Sequence, residues 1–119
     1  METGQSNGGV ATDPLQGMGP VRSVASGFIS TEGPVWHERS GALIFSDIPG
    51  NTIYALYVDS NDVAVVRSPS NLSNGLALDA DGYLLSAEQE TRIISRMNPV
   101  TGEVLPYISR FGYWEQSRA

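Results

Sequence analysis

The chain repeats itself. A polar residue followed by glycine, Glu32-Gly33, opens a series of short apolar runs, and the same order returns from Asn74-Gly75, 42 residues later. The first unit runs through Val35, Trp36, Ala42–Ser46, Thr52–Tyr57 and Val63–Arg67. The second runs through Leu76–Leu78, Tyr83–Ala87, Arg92–Met97 and Glu103–Tyr107. Self-similarity at roughly 40–45 residues, with four short strands per unit, is the sequence pattern of propeller blades. A single blade cannot bury both of its faces, so such units fold only by stacking on one another.

The punctuation supports four strands per unit. Glu38-Arg39-Ser40-Gly41, Ile48-Pro49-Gly50-Asn51 and Asp59-Ser60-Asn61 are turn sequences. They separate Pro34–His37, Ala42–Ser46, Thr52–Val58 and Asp62–Arg67. In the second unit Ala80-Asp81-Gly82 is a hairpin signal, Glu88–Thr91 matches the Ile48–Asn51 turn, and Pro99 breaks the loop before Glu103–Tyr107. The spacing predicts strands over Leu76–Asp79, Tyr83–Ala87, Arg92–Met97 and Glu103–Tyr107. Val21–Ile29 is expected to be a further strand, completing the outer edge of a neighbouring blade. No segment keeps a 3.6-residue period, so no helix is predicted. The predicted domains are a disordered leader over residues 1–20, rich in Gly, Gln, Ser, Asn and Pro, the blade pair over 21–110, and a divergent tail over 111–119 that starts no third unit. A closed propeller has about 4–8 blades and needs at least roughly 160 residues. The fold class is therefore all-β: two four-stranded antiparallel blades of an incomplete β-propeller.

Composition narrows the partners. The net charge is −6, from 13 acidic residues against 7 arginines and no lysine. Nucleic acid and anionic membrane surfaces require clustered cations, so neither is expected as a partner. There is no Cys, which removes disulfides, thiol catalysis and thiolate metal sites. Met1–Pro20 has neither the basic nor the apolar region of a secretory signal, and no apolar run approaches the ~18 residues of a membrane span. These features together point to the cytoplasm.

In a propeller the first strand of each blade lines the central channel, and side chains at the strand mouths converge. Glu32 and Asn74 stand at equivalent mouths. A carboxylate and an amide oxygen are hard donors suited to Ca²⁺, Mg²⁺ or Mn²⁺ and, less typically, Zn²⁺. Two donors do not complete a site. The residues also allow a plainer reading, in which Glu32 is a turn residue and Asn74 forms an Asx turn. Asp47 and Glu88 are equivalent by the repeat. Asp47 is expected to fix the turn that follows it; Glu88 either does the same or reaches the channel. His37 is the lone histidine, so no imidazole pair can be built from one chain. Trp36 is assigned to packing between blades and Trp114 to no cofactor pattern. Ser70, Ser73 and Ser86 lack a nucleophile-elbow context.

Two motifs carry a resemblance. Thr31-Glu32-Gly33-Pro34-Val35-Trp36 followed by Leu43-Ile44-Phe45-Ser46-Asp47-Ile48-Pro49-Gly50-Asn51 resembles the gluconolactonase / senescence marker protein / luciferin-regenerating enzyme family. Asn74-Gly75-Leu76 with Asp79-Ala80-Asp81-Gly82 and Ala87-Glu88 is similar to that family's next blade. The resemblance spans about residues 21–110. It implies a six-bladed propeller with one divalent cation in its channel and lactone hydrolysis as its chemistry. It implies that Glu32 is a metal ligand and that Asn74 lies beside the substrate, with Glu88 a further substrate-side candidate. The family's other protein ligands, an Asn and an Asp that also serves as base, belong to later blades.

The resemblance therefore implies a metal-dependent hydrolase of a sugar lactone or related lactone. The expectation for this chain alone is inactivity, with cation binding in doubt and no catalytic residue assigned. The alternative is a non-catalytic propeller fragment or an interaction module that associates through exposed blade edges. A third arrangement, three copies closing a six-bladed ring, would put three Glu32 and three Asn74 on one axis, which is not the family's ligand set.

Overall fold

The computed structural model describes residues 13–109. The leader's first twelve residues and the tail over 111–119 lie outside them. Eight strands form two four-stranded antiparallel sheets, each in sequence order. The first holds β1 (Thr31–His37), β2 (Ala42–Asp47), β3 (Thr52–Tyr57) and β4 (Asp62–Arg67). The second holds β5 (Ser73–Leu78), β6 (Leu84–Glu88), β7 (Ile93–Met97) and β8 (Val104–Ile108). These are two consecutive propeller-type blades that do not close on themselves. The one helical element among the described residues is a single 3₁₀ turn, Glu38–Ser40, closed by Gly41 at φ +66°. Among the described residues no helix is long and apolar enough to cross a membrane.

The repeat is exact at the level of hydrogen-bond register. Thr31 pairs with Asp47 and Val35 with Ile44; their counterparts Ser73 and Ala77 pair with Glu88 and Leu85. Both first strands carry a bulge after the opening residues, between Glu32 and Val35 and between Ser73 and Leu76. Both fourth strands carry one, at Val66 and Tyr107, opposite the matching isoleucines Ile53 and Ile94 of the third strands. A bulge adds one residue to one strand and re-aims the chain without ending the ladder. This explains why the inner strands start earlier than turn chemistry alone predicts. Pairing resumes beyond the bulges, so Glu32 and Asn74 lie inside β1 and β5 rather than just before them.

One face of the first sheet packs on the facing side of the second. Ala42, Ile44, Ile53 and Ala55 meet Leu84 and Met97, flanked by Val35, Val66, Leu76, Leu78 and Val104. Ile53 is fully buried and Leu84 nearly so; each contributes about 1.5–3 kcal/mol by leaving water. The alternate residues of β2 and β3 point to the opposite face. There Phe28 stands edge-on to Phe45 and Tyr54, each centroid at 5.0 Å, and Leu56 is buried.

The strand expected over Val21–Ile29 is not formed. The segment is irregular, and Val21 and Ile29 are largely exposed. A strand needs a ladder partner for its backbone groups, and this segment instead lies on a sheet face. It is held there by Phe28 and by the Asp47 carboxylate, which accepts the N–H groups of Ile29 and Ser30, both at 3.0 Å.

Gly33 marks the tightest approach between the sheets. It sits at φ +59°, and a first side-chain carbon there would lie 2.2 Å from the Asn74 carbonyl oxygen. Gly41 shares the positive φ (+66°) but faces open space. Gly33→Ala therefore combines backbone strain with a clash against main chain and is expected to cost about 2–4 kcal/mol. Gly41→Ala is expected to cost about 1 kcal/mol. Thermal unfolding of the two variants side by side checks this; equal losses would contradict the close approach.

Candidate functional site

The inner strands β1 and β5 lie against each other; Glu32 and Asn74 each follow the opening pair of their strand, but Glu32 pairs with Ser46 whereas Asn74 falls within the bulge. Their backbones meet through Gly33, whose Cα faces the Asn74 carbonyl. Glu32 is exposed and lines a cleft of about 410 Å³ between the first sheet and the Val24–Phe28 segment. Asn74 is half-buried. Its carbonyl accepts a hydrogen bond from the Ser46 hydroxyl at 3.0 Å, and Ser46 Oγ lies 3.4 Å from Ser73 Oγ. Ser46, Ser70 and Ser73 are completely buried in this seam.

The two carboxylates that end the second strands are both buried. Asp47 follows the turn reading: besides Ile29 and Ser30 it accepts the N–H of Gly50 in the next turn. Burial alone would raise its pKa, but those three donors outweigh it and hold the carboxyl below its ordinary value. Glu88, read from the sequence as a substrate-side candidate, lies in a network that crosses between the sheets. Arg67 Nη1 donates to one oxygen at 2.8 Å. The Asn71 amide and Thr91 hydroxyl donate to the other at 3.0 and 2.6 Å. Burial pushes its pKa up, and hydrogen bonds from Ser95, Thr91, Asn71 and Arg67 bring it down to about 2. A carboxylate so fully engaged is a brace first.

Parallel main-chain contacts follow both acids. Ile48 N–H donates to the Ser30 carbonyl, and at the equivalent place Gln89 N–H donates to that of Leu72. Each blade thus ends its second strand in an anion that grips the segment feeding its own first strand. Asn51 adds to the second grip. At φ +55° its Oδ1 accepts the N–H groups of Ser70 and Leu72 at 3.2 and 2.8 Å, fixing the connection that delivers Asn74.

A separate polar cluster sits at the other end of the second sheet. Arg96 bonds Asp79 at 2.7 Å and Asp81 at 3.1 Å and lies 3.8 Å over the Tyr83 ring. The hydrogen bond from Arg96 is the main cause holding the Asp79 carboxyl below its usual range. His37 Nδ1 is hydrogen-bonded to Ser40 Oγ, and Trp36, 44 % exposed, donates to Glu38.

Glu32 and Asn74 supply oxygen donors of the chemistry a hard cation prefers. Asn74 does not line the cleft that Glu32 lines, and among the described residues no group of three His, Cys, Asp or Glu is placed to hold an ion. Ser46, Asn51 and Arg67 are contributors that sequence reading passed over. Arg67 had a signal, a lone cation closing an otherwise apolar strand; Asn51 had one, the residue after Gly in a tight turn; Ser46 had none.

Comparison with known proteins gives a consistent result. Residues 30–119 match the model of the SMP-30/Gluconolactonase/LRE-like region. A gluconolactonase from Zymomonas mobilis is 32% identical over 95 residues, which cover 69% of this chain and 26% of the relative. A structural-genomics target provisionally named a gluconolactonase superposes with a TM-score of 0.69 at 33% identity, over 76% of this chain and 31% of that one. A gluconolactonase from Xanthomonas campestris gives 0.64 at 30% identity, over 68% and 27%. The chain thus spans about a quarter to a third of the length of the relatives it matches.

The Glu88 network sets a pH dependence. Its carboxyl is lowered from 4.5 to about 2 in the folded chain. The stability it gives is therefore fully present above about pH 4.5 and lost as pH falls toward about 2. Glu88→Gln leaves Arg67 without its anion and is expected to cost about 3 kcal/mol or more at pH 7. The gap between variant and wild type should close across that window in urea titrations. A gap that stays constant with pH would contradict the ion pair.

Proposed function

Because the chain belongs to the SMP-30/gluconolactonase/LRE-like family, we propose that it builds the first part of a lactone-handling site in which Glu32 is a cation ligand and Asn74 a substrate contact. The observation that carries this is the placement of a carboxylate and an amide at equivalent, adjoining positions of two inner strands. A divalent cation, when bound, polarises a carbonyl and stabilises the oxyanion formed on attack. Glu32 is suited to hold it because its carboxylate is exposed to the cleft rather than tied into the fold. Asn74 has a main chain pinned by Ser46, so its amide can offer both a donor and an acceptor to a hydroxylated ring without reordering.

Proton transfer is a different matter. A general base must reach the attacking water with a free lone pair near the operating pH. Asp47 and Glu88 are held ionised by donors that occupy their oxygens, so neither is assigned that role. In this reading the described residues bind and orient, and none of them is assigned as the base. The cation remains open among Ca²⁺, Mg²⁺, Mn²⁺ and Zn²⁺, and the substrate class is a small lactone.

A second reading rests on one observation. Leu105 pairs with Arg96 on the face of the second sheet turned away from the first. Leu105 and Tyr107 are 55 % and 56 % exposed. Apolar surface of this kind supports self-association or a protein partner.

Both readings are open to measurement. Calorimetric titration with Mn²⁺ and Ca²⁺ should show weak binding that Glu32→Gln abolishes and Glu38→Gln leaves intact. Equal binding by wild type and Glu32→Gln would sink the ligand assignment. For the second reading, light scattering after size exclusion should show a mass that rises with concentration and falls back in Tyr107→Arg. A monomer at all concentrations would remove it.

A further inference from the structure

We propose that Ser46 is a positioning residue: its hydroxyl clamps the two inner strands together and sets where Asn74 stands relative to Glu32. This deepens the reading that Glu32 and Asn74 share a site and rests on it. Two observations meet at one atom, the Asn74 carbonyl oxygen, and a third ties Ser46 to Glu32. That oxygen accepts the Ser46 hydroxyl at 3.0 Å. It is pressed toward Gly33, where a side-chain carbon would come within 2.2 Å. Ser46 is itself the register partner of Glu32 across β1 and β2. One residue therefore touches both halves of the candidate site, opposite Glu32 through the β ladder and against Asn74 through its side chain.

The geometry is demanding. Ser46 is wholly buried, so its hydroxyl cannot turn to solvent for a replacement partner, and without it the carbonyl loses a bond in a dry seam. Only a small side chain with a donor fits where the strands approach this closely. Alanine would keep the shape and lose the donor. Ser73 is an equally buried control in the same seam; its hydroxyl meets Ser46 Oγ rather than the Asn74 carbonyl. Arg67–Glu88 and Asn51 act further back, on the connection that precedes Asn74. Ser46 acts on Asn74 itself.

The test compares wild type, Ser46→Ala and Ser73→Ala in the full chain. Three readouts are needed: the ¹³C carbonyl shift of Asn74 by NMR, the Kd for Mn²⁺, and the Tm. The expected result is a moved Asn74 carbonyl resonance and a Kd raised about three- to tenfold in Ser46→Ala. In Ser73→Ala the Tm falls comparably and the Kd holds, while the Asn74 resonance, one residue away, moves by much less than in Ser46→Ala. An unmoved Asn74 resonance in Ser46→Ala overturns the clamp, whatever the ion does. A moved resonance with an unchanged Kd overturns the positioning role. Wild type that binds no Mn²⁺ overturns the shared site and the positioning role with it, and the carbonyl shift then reports separately on whether the clamp exists.

Discussion

The entry of the chain into both inner strands hangs on two buried carboxylates. A four-stranded blade has to receive its chain at the innermost strand, and that entry brings backbone donors and polar side chains into a place water does not reach. Asp47 and Glu88 meet the requirement at the same register position in successive blades, one gripping Ile29 and Ser30, the other gripping Asn71. An isolated buried carboxylate would be ruinous. Surrounded by donors, it becomes a fixed point, and the strands that carry Glu32 and Asn74 start from those fixed points.

The second blade differs in kind from the first. Asp47 is satisfied by main-chain N–H groups alone, whereas the longer Glu88 takes side chains and a cation contributed by β4 of the neighbouring sheet. One extra methylene lets the carboxylate reach across the interface, where it is matched by Arg67. The hydrophobic faces bring the sheets together without choosing a register, since Ile53, Ala55, Leu84 and Met97 are non-directional contacts. The Arg67–Glu88 bond and the Ser46–Asn74 bond are directional, and they select the one alignment in which the inner strands sit level.

Much of this is legible in the sequence. Turn chemistry located the breaks at Ser40-Gly41, Gly50-Asn51, Asn61 and Gly82, because a positive φ is tolerated by so few residues. Asp62–Arg67 matched to the residue, since turn and strand preferences agree at both of its ends. The inner strands were drawn short because a bulge is a matter of pairing, invisible in a single strand's composition. Val21–Ile29 was drawn as a strand because its apolar content suits one; whether a partner lies alongside is a property of the tertiary fold. The equivalence of Glu32 with Asn74 came from spacing alone. Ser46 could not be found that way, since a serine in a buried run reads the same whether its hydroxyl bonds its own strand or a neighbour's.

The strap formed by Val24–Phe28 makes the two ends of the stack unequal. By laying Phe28 on Phe45 and Tyr54, the chain caps one outer face with its own aromatic ring, while the opposite face keeps Leu105 and Tyr107 in contact with solvent. A stack capped on one side has a direction. One outer face carries an irregular segment of the chain itself, and the other presents the side chains of its last strand.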